Sequence, residues 1–277
     1  MKRVITAAVL IPLVLLIILK GSFPLLVGVT ALVAMLAAWE YVSIADCHGS
    51  RLPRTLVLMA IVLIFAATFR SPSLILPAVG FCSLVLLIVC GFRSPLERVL
   101  PDSAFSIFGL LYCGLTLATV PLVWLQPHGP AHVVFLCCVV WTGDTAALYT
   151  GRSLGRHQLS PRLSPNKTWE GSAGSLAGSL LIALLLLTLD HTLERRSIYL
   201  LHFGRPLARW LVLAAVLNLF AQVGDLVESA IKRGAGVKDS GVLLPGHGGI
   251  LDRIDALLLA APALWYAQWI QQYFRAG

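Results

Sequence analysis

Apolar segments close to the thickness of a lipid bilayer follow one another along almost the whole chain. Hydrophobic residues make up 58% of the 277 residues, and charged residues make up only 12%. Together with a mean hydropathy of +0.85, this composition excludes an ordinary soluble domain. The sequence therefore predicts an all-α, polytopic membrane protein.

The apolar segments predict about nine transmembrane helices. Several segments are shorter than the roughly 20 residues that a straight span needs, so the prediction allows one span more or fewer. The first segment has the basic tip of a signal peptide, but no small-residue cleavage site follows Lys20, and we interpret it as the first span. The predicted spans cover residues 4–19, 22–45, 55–70, 73–91, 105–125, 131–150, 172–189, 210–224 and 254–270.

The basic residues predict the orientation of the chain in the membrane. A net charge of +8 is compatible with nucleic-acid binding, but in a membrane protein an excess of basic residues more often sets the topology. If the N-terminus is cytoplasmic, 14 of the 21 basic residues fall in inner segments, as the positive-inside rule requires. We therefore expect a multi-pass protein of the cell inner (plasma) membrane, with no nucleic-acid partner.

The stretch from Asn218 to Asp255 concentrates charged residues and glycines as no other part of the chain does. Its first half has the apolar pattern of a helix that continues until the glycines at 234 and 236. Polar residues recur in it at spacings of three and four, so they share one helix face. That face carries Asn218, Gln222, Asp225, Ser229 and Lys232, with Glu228 and Arg233 beside it.

The second half of this stretch, from Gly234 to Gly249, contains six glycines together with Lys238, Asp239 and His247. Glycines allow backbone N–H groups to approach a phosphate closely. Asp225 and Asp252 flank the loop, and carboxylates beside cations are what a magnesium-bound nucleoside triphosphate requires. Charged residues also gather wherever a loop leaves a membrane, but the interleaving of acids with bases favours an active site that faces the cytoplasm.

A second polar region lies upstream. Asp144 falls inside a predicted span, where an unpaired carboxylate is costly and marks a functional site by default. Helix packing through a neighbouring threonine is the alternative explanation for it. The basic loop that follows ends at Thr168, Trp169 and Glu170, which open the next helix. Ser or Thr there would cap the helix and present Lys167 to an anion.

These residues form a pattern that resembles the phosphatidate cytidylyltransferases, also called CDP-diacylglycerol synthases. The segment SAIKRGAGVKDSGVLLPGHGGILDRID matches the family signature without a gap, and WTGDTAALYTGR and SPNKTWEG resemble two further blocks of it. The resemblance covers about 115 residues. The matching positions are Asp144, Lys167, Thr168, Glu170, Gly171, Ser229, Lys232, Arg233, Lys238, Asp239, His247, Gly248, Gly249, Asp252, Arg253 and Asp255.

The resemblance implies a nucleotidyltransferase of phospholipid biosynthesis that transfers CMP from CTP to phosphatidic acid. CDP-diacylglycerol and pyrophosphate would be its products, with CTP, phosphatidic acid and membrane lipids as its partners. It implies Mg²⁺ as the metal and leaves open both a second cation and a homo-oligomer. Residues 1–104 would then be N-terminal transmembrane helices, and residues 105–277 the C-terminal transmembrane catalytic region.

We assign roles to the matching residues on this basis. Asp225 and Asp252 would coordinate the metal. Asp144 and Asp255 would support these ligands without binding the metal directly, and His247 would bind phosphate or protonate pyrophosphate. The remaining catalytic candidates are Lys232, Arg233, Lys238 and Arg253. The substrate-binding candidates are Lys167, Thr168, Glu170, Ser229, Gly248 and Gly249.

Two other functions stay open on the sequence alone. A polytopic transporter would also have many spans and buried acids, although a glycine-rich loop of alternating charge is unusual in an ion path. A cytidylyltransferase that acts on another lipid phosphate is the closer alternative. A CDP-alcohol phosphotransferase is excluded, because the repeated aspartates of its motif are absent from the sequence.

Overall fold

A computed structural model describes residues 2–204, 206–241 and 248–276, and it confirms the all-α prediction. The helices are α1 Lys2–Lys20, α2 Phe23–Cys47, α3 Arg54–Arg70, α4 Ile75–Arg93, α5 Val99–Gly109, α6 Thr116–Trp124, α7 Gly129–Leu154, α8 Trp169–Glu194, α9 Leu207–Gly234 and α10 Leu251–Ala276. A π-helical segment, Leu110–Leu115, joins α5 to α6.

Six helical segments of the described residues are long and apolar enough to cross a membrane, so the chain is a multi-pass membrane protein. They are Phe23–Cys47, Pro72–Arg93, Leu96–Trp124, Gly129–Leu154, Trp169–Glu194 and Leu207–Gly234. The predicted count of nine spans is not confirmed. Helix α3 has only 17 residues, and within the residues of α1 whose side chains are described, Leu10–Lys20 forms a shorter apolar helix.

The chain forms two compact units. Unit 1 contains Met1–Ile17, Gly21–Leu122 and Ala230–Ile254, and unit 2 contains Ile18–Lys20, Val123–Ser229 and Asp255–Gly277. Helices α9 and α10 each contribute residues to both units. The sequence predicts a boundary after residue 104, between N-terminal helices and a C-terminal catalytic region. This boundary is defined by where the catalytic residues lie, and it stays a prediction.

Unit 1 is built around the packing of α2, α3, α4, α5 and the π-helical segment. Small side chains of α2, among them Ala34, Ala37 and Ala38, are fully buried, which allows neighbouring helices to approach closely. Large apolar side chains of the same unit point outward, and Phe92 is 89% exposed. Such exposure is expected of a surface that meets lipid rather than water.

Unit 2 is built around α7 and α8, which pack along their length. A Cβ atom added at Gly174 would lie 2.2 Å from the Thr150 Oγ1 atom, and one at Gly178 would lie 2.5 Å from the Ala146 Cβ atom. Both distances are too short for any side chain, so glycine is required where the two helices meet. The small residues of α8 therefore have the packing role that the sequence indicates.

A β-hairpin connects α7 to α8. Strands β1, Gln158–Ser160, and β2, Ser164–Thr168, pair in antiparallel register. The sequence analysis treated this segment only as a basic loop, because two strands of three and five residues leave no alternating pattern to detect. The hairpin matters because it ends at Lys167 and Thr168, directly before α8.

Candidate active site

A cavity of about 550 Å³ lies in unit 2, where the end of α7, the hairpin and the beginning of α8 meet. Its volume falls within the range of small-molecule sites, roughly 300–1,000 Å³. Four of the predicted site residues line it: Asp144, Lys167, Thr168 and Asp225. Its other lining residues are Ala147, Leu148, Gly151, Arg152, Leu159, Asn166, Gly171, Ser172, Ser175 and Gln222.

The N-terminus of α8 opens onto this cavity. Thr168 is the N-cap residue, and its side-chain oxygen accepts a hydrogen bond of 3.1 Å from the Gly171 N–H group. The first N–H groups of a helix lack intrahelical acceptors and carry partial positive charge, so such a terminus favours an anion. The predicted helix start at residues 168–170 is confirmed.

Two carboxylates, Asp144 and Asp225, and two cations, Arg152 and Lys167, line the cavity. Lys167 Nζ forms an ion pair with Asp225 Oδ2, and the charge of Asp144 interacts with the charges of both residues. The charge of Asp255, at the beginning of the unit 2 part of α10, interacts with those of Asp225, Asp144 and Glu228. The structure thus brings together Asp144, Lys167, Asp225 and Asp255 in unit 2.

These carboxylates fit a hard divalent cation. Mg²⁺ takes oxygen ligands and is commonly held by one or two carboxylates together with substrate phosphates, rather than by a cage of protein ligands. Asp225 and Asp144 provide carboxylate oxygens of this kind at the cavity. Among the described residues, no group of three His, Cys, Asp or Glu side chains is close enough to hold a metal alone.

A ladder of hydrogen bonds leads from the cavity into the interior of unit 2. Ser172 Oγ donates to Gln222 Oε1 at 2.5 Å, and Gln222 Nε2 donates to Asn218 Oδ1 at 2.6 Å. Asn218 is buried and donates to Ser175 Oγ at 2.8 Å and to Ser179 Oγ at 2.9 Å. The predicted polar face of α9 is therefore confirmed for Asn218 and Gln222, which hold α9 against α8.

Glu170, a predicted substrate-binding residue, braces the hairpin instead of lining the cavity. Its Oε1 atom lies 2.6 Å from His157 Nδ1, and its Oε2 atom accepts the backbone N–H groups of Arg156 at 3.1 Å and His157 at 3.3 Å. The carboxylate thus ties the end of the α7–β1 connection to the first turn of α8. Its role in substrate binding stays a prediction.

A second cluster of predicted site residues lies in unit 1, around Asp252. Lys232 Nζ donates to Asp252 Oδ1 at 2.5 Å, and both side chains are only 13% exposed. Asp252 Oδ2 accepts the backbone N–H groups of Ser240 at 3.1 Å and Gly249 at 2.9 Å. Gly248 has φ +80, a conformation that favours glycine, and it directs the chain so that Gly249 reaches Asp252.

Glu40, like Ser240, is a residue of this cluster that the sequence analysis did not select. It lies on α2, is 2% exposed, and accepts hydrogen bonds from Ser240 Oγ, Ile250 N and Leu251 N. The sequence signal was a single acid in an otherwise uncharged span, and its position near the inner end of the predicted helix favoured a place at the membrane interface. Only the fold brings α2 beside Ser240, Ile250 and Leu251.

The other predicted residues lie around these two clusters. Arg233, Lys238 and Arg253 are exposed and Ser229 is half-buried; Arg233 Nη1 donates to the Val237 carbonyl oxygen at 3.4 Å. His247 lies outside the described residues. Asp225 belongs to unit 2 and Asp252 to unit 1, and their assignment as metal ligands stays a prediction.

A second cavity, of about 510 Å³, lies in unit 1 and is mostly apolar. Aromatic rings form much of its wall: His48 lies edge-on to Phe105 at 5.9 Å between ring centroids, and Tyr41 donates a hydrogen bond of 3.1 Å to the Phe105 carbonyl oxygen. Ile231, Gly234 and Ala235 close it at the end of α9, next in the chain to Lys232 and Arg233.

The fold and the cavity define a class: a multi-pass α-helical membrane protein with charged side chains around a cavity at a helix terminus. Over residues 1–270 the chain matches the profile of the cytidylyltransferase family. It is also 33% identical to the phosphatidate cytidylyltransferase of Staphylococcus aureus (strain COL) over 267 residues, 95% of this chain and 96% of that relative. The chain therefore belongs to the cytidylyltransferase family.

A second group of relatives matches a shorter part of the chain more closely. The phosphatidate cytidylyltransferase of Brucella suis biovar 1 (strain 1330) is 44% identical over 162 residues, 57% of this chain and 54% of that relative. The corresponding protein of Brucella melitensis biotype 1 is 44% identical over 158 residues. The match thus spans about half the length of these curated relatives.

Proposed function

We propose that this protein is a phosphatidate cytidylyltransferase, which converts CTP and phosphatidic acid to CDP-diacylglycerol and pyrophosphate. The observation that carries the proposal is the 550 Å³ cavity at the N-terminus of α8, where a lysine and carboxylates lie beside the partial positive charge of the helix terminus. A nucleoside triphosphate with a divalent cation requires this combination. Relatives that bear this name, on both the long and the short matches, support the same reaction.

The reaction needs little proton transfer from the protein. An oxygen of the phosphatidate monoester, already ionised near neutral pH, attacks the α-phosphorus of CTP. The bond between the α-phosphorus and the bridging oxygen breaks, and pyrophosphate leaves with that electron pair. Catalysis then depends on positioning and on neutralising phosphate charge.

In unit 2, Lys167 and the N-terminus of α8 would bind the triphosphate. Asp225, and Asp144 beside it, offer the oxygen ligands for Mg²⁺, which when bound supplies charge neutralisation at the phosphates. The ion pair between Lys167 and Asp225 keeps both side chains at the cavity before substrate arrives. Asp255, the first residue of α10 that belongs to unit 2, would help to hold Asp225 in position.

In unit 1, Asp252 would act as a further metal ligand, and Lys232 as a cation for a substrate phosphate. Lys232 is held by the Asp252 carboxylate at 2.5 Å, so binding a phosphate there would redistribute its contacts. Arg233, Lys238 and Arg253, exposed in the same part of the chain, would add positive charge. His247 keeps its two proposed roles, phosphate binding or proton donation to pyrophosphate.

The apolar cavity of unit 1 suits an acyl chain of the lipid substrate. Its wall is formed by aromatic and aliphatic side chains, whose burial against an acyl chain is favourable by roughly 25 cal/mol per Å². Because Ile231 and Gly234 lie at this cavity, Lys232 and Arg233 are next to it in the chain. A phosphate headgroup would then reach cations while its acyl chain stays in apolar surroundings.

We place the protein in the cell inner membrane, with the hairpin and the glycine-rich loop toward the cytoplasm. Arg152, Arg156, Arg162 and Lys167 lie in or beside the hairpin, and Lys232, Arg233, Lys238 and Arg253 lie in or beside the glycine-rich loop; cytoplasmic loops carry such an excess. CTP is available on that side. A homo-oligomer and a second cation remain part of the proposal to be tested.

Two labelled nucleotides test the reaction. Purified protein in detergent receives phosphatidic acid, Mg²⁺ and CTP labelled at either the α- or the γ-phosphate. We expect the α label to enter lipid and the γ label to appear in pyrophosphate. Omission of Mg²⁺, and the Asp252→Asn variant, should each reduce lipid labelling by at least about 100-fold.

Other outcomes point to the alternatives. If folded protein labels no phosphatidic acid but labels another lipid phosphate, the substrate assignment is wrong and the reaction class is kept. If no lipid phosphate is labelled and the protein moves a solute across vesicle membranes instead, the transferase proposal is overturned. Retention of the γ label in lipid would exclude attack at the α-phosphorus.

A further inference from the structure

Glu40 joins two chain segments that lie 200 to 211 residues away from it in sequence. Its Oε2 atom accepts hydrogen bonds from Ser240 Oγ at 2.9 Å and from the Leu251 N–H group at 2.8 Å, and its Oε1 atom accepts the Ile250 N–H group at 2.9 Å. All of these residues belong to unit 1. One carboxylate on α2 thus holds Ser240 and the beginning of α10 together.

The chemistry of these bonds explains a buried acid in a span. The N–H groups at the start of α10 have no intrahelical acceptors and carry partial positive charge, so they favour a carboxylate. Glu40 caps α10 from another helix and, in return, obtains three donors for its two oxygens. A buried carboxylate requires such partners.

Two glycines are required by Glu40 itself. A Cβ atom at Gly241 would lie 2.7 Å from Glu40 Oε1, and one at Gly249 would lie 2.3 Å from Glu40 Oε2 and 2.0 Å from Ser240 Oγ. No side chain fits at these distances. Part of the glycine content that suggested close approach to a phosphate therefore serves close approach to this carboxylate.

Ser240 connects Glu40 to Asp252. Its hydroxyl donates to Glu40 and accepts from the Asp252 N–H group at 3.3 Å, and its backbone N–H donates to Asp252 Oδ2 at 3.1 Å. Asp252 in turn holds Lys232 at 2.5 Å. A displacement of Glu40 therefore changes the position of Ser240, and through it the orientation of the Asp252 carboxylate.

We propose that Glu40 is a positioning residue for the transferase reaction, which orients Asp252 and Lys232 through Ser240 without touching a substrate. The inference rests on the proposed function and adds to it a residue from the N-terminal helices. The role differs from general stabilisation in one measurable respect. It predicts a loss of turnover, because Asp252 is misaligned, with little change in the KM for CTP.

Glu40→Gln is the first test, because it keeps the size of the side chain but turns an NH₂ group toward an N–H donor. We expect kcat to fall about 30-fold, with KM for CTP within twofold, and the thermal midpoint of unfolding to be lower than that of the parent protein, because a buried donor then faces another donor. Asp46→Asn is the matched control: Asp46 lies on the same helix, is exposed, and pairs with Arg54 at 2.9 Å. We expect it to leave kcat unchanged, as surface ion pairs contribute little.

Ser240 provides the second test, which does not depend on the stability of the first variant. Ser240→Ala should lower kcat about 10-fold, and Ser240→Thr, which keeps the hydroxyl, should restore most of it. The double variant Glu40→Gln/Ser240→Ala should lose no more activity than Glu40→Gln alone, because both changes break one chain of contacts.

The outcomes separate this inference from the proposed function. An inactive parent protein overturns the proposed function. If the parent is active, a Glu40→Gln variant with normal kcat overturns the positioning role, and so does a double variant whose losses multiply. If Glu40→Gln is not recovered folded, equal activity of Ser240→Ala and the parent overturns the role, whereas loss in Ser240→Ala and recovery in Ser240→Thr support it.

Discussion

Lys167 is the residue on which the unit 2 cavity depends most directly. It is the penultimate residue of strand β2, directly before the N-cap of α8, and its ammonium group pairs with Asp225 on α9. The hairpin fixes the backbone of Lys167, so its ammonium group is held at the cavity beside the N-terminus of α8 before any anion binds. A pre-positioned cation of this kind is worth more than a mobile one.

Replacing Lys167 tests whether this cation binds the triphosphate. We expect Lys167→Met to lower kcat/KM for CTP roughly 100-fold, since one preorganised charge contact of a phosphoryl-transfer site is lost. Arg162→Met is the control, because Arg162 is an exposed cation in the turn of the same hairpin, and it should change kcat/KM less than twofold. Equal losses in the two variants would mean that the hairpin acts only through its overall charge.

Glycines of α8 show how an element positions the site. Gly174 faces Thr150 of α7 so closely that an added Cβ would lie 2.5 Å from the Thr150 Cβ atom. The same two helices carry Asp144 and Thr168 to the cavity. The packing of α7 on α8 thus sets the width of the site.

Gly174→Ala should push α7 and α8 apart. Overpacking of this kind typically costs about 1–3 kcal/mol, and we expect a lower thermal midpoint together with a higher KM for CTP. Gly28→Ala on α2 is the control, because a Cβ there meets no atom within 4 Å, and it should be neutral or slightly stabilising. An unchanged midpoint in Gly174→Ala would show that the helices can separate without cost.

The apolar cavity of unit 1 leads to a prediction for the binding of phosphatidic acid. Ala104, on α5, lines it, so Ala104→Phe should occupy space proposed for an acyl chain and raise the KM for phosphatidic acid about 10-fold. The KM for CTP should stay within twofold. Ala66→Phe, at an exposed position of α3, is the matched control, and similar losses for both substrates in Ala104→Phe would argue against an acyl site.

The elements differ in how far the sequence could predict them. Long helices were found because apolar runs leave a strong signal: the helical stretch predicted to continue to Gly234 ends there as α9. The hairpin was missed because its strands have three and five residues. Membrane crossing depends on length and apolarity together, so the predicted count of nine spans is not confirmed, whereas six helical segments satisfy both conditions.

The residues of the candidate site also differ in how far the sequence could predict them. Residues joined by short-range pattern were predictable: Lys167, Thr168 and the polar face of α9 were recognised from spacing and capping chemistry. Glu40 was not selected, because its role arises from partners 200 to 211 residues away. No local pattern encodes a contact of that separation. The family resemblance does not include Glu40 either, since it begins at residue 141.

At the scale of the whole molecule, α8 determines which segments face opposite sides of the membrane. It is a candidate span of 26 residues within unit 2, with the hairpin before it and the segment around Arg196 after it. If α8 crosses the bilayer, these two segments are exposed on opposite faces. The basic residues favour a cytoplasmic hairpin.

Cysteine labelling tests this orientation. Arg162→Cys and Arg196→Cys are introduced separately into a Cys47→Ser protein, because Cys47 is the exposed cysteine of the described residues. A membrane-impermeant maleimide should label Arg162→Cys in inside-out vesicles and Arg196→Cys in right-side-out vesicles. The opposite pattern would reverse the topology, and labelling of both in one vesicle type would mean that α8 does not cross. The Cys47→Ser protein alone gives the background.

The hydrogen bonds of Glu40 also have a consequence for biosynthesis. Glu40 is synthesised 200 residues before Ser240 and 211 before Leu251, an interval of about 10 to 40 s at ordinary rates of translation. During that time α2 carries a carboxylate whose final partners do not yet exist. The hydrogen bonds of Glu40 can therefore form only when the start of α10 has left the ribosome. A nascent chain that terminates before residue 250 never acquires the backbone N–H donors of Ile250 and Leu251.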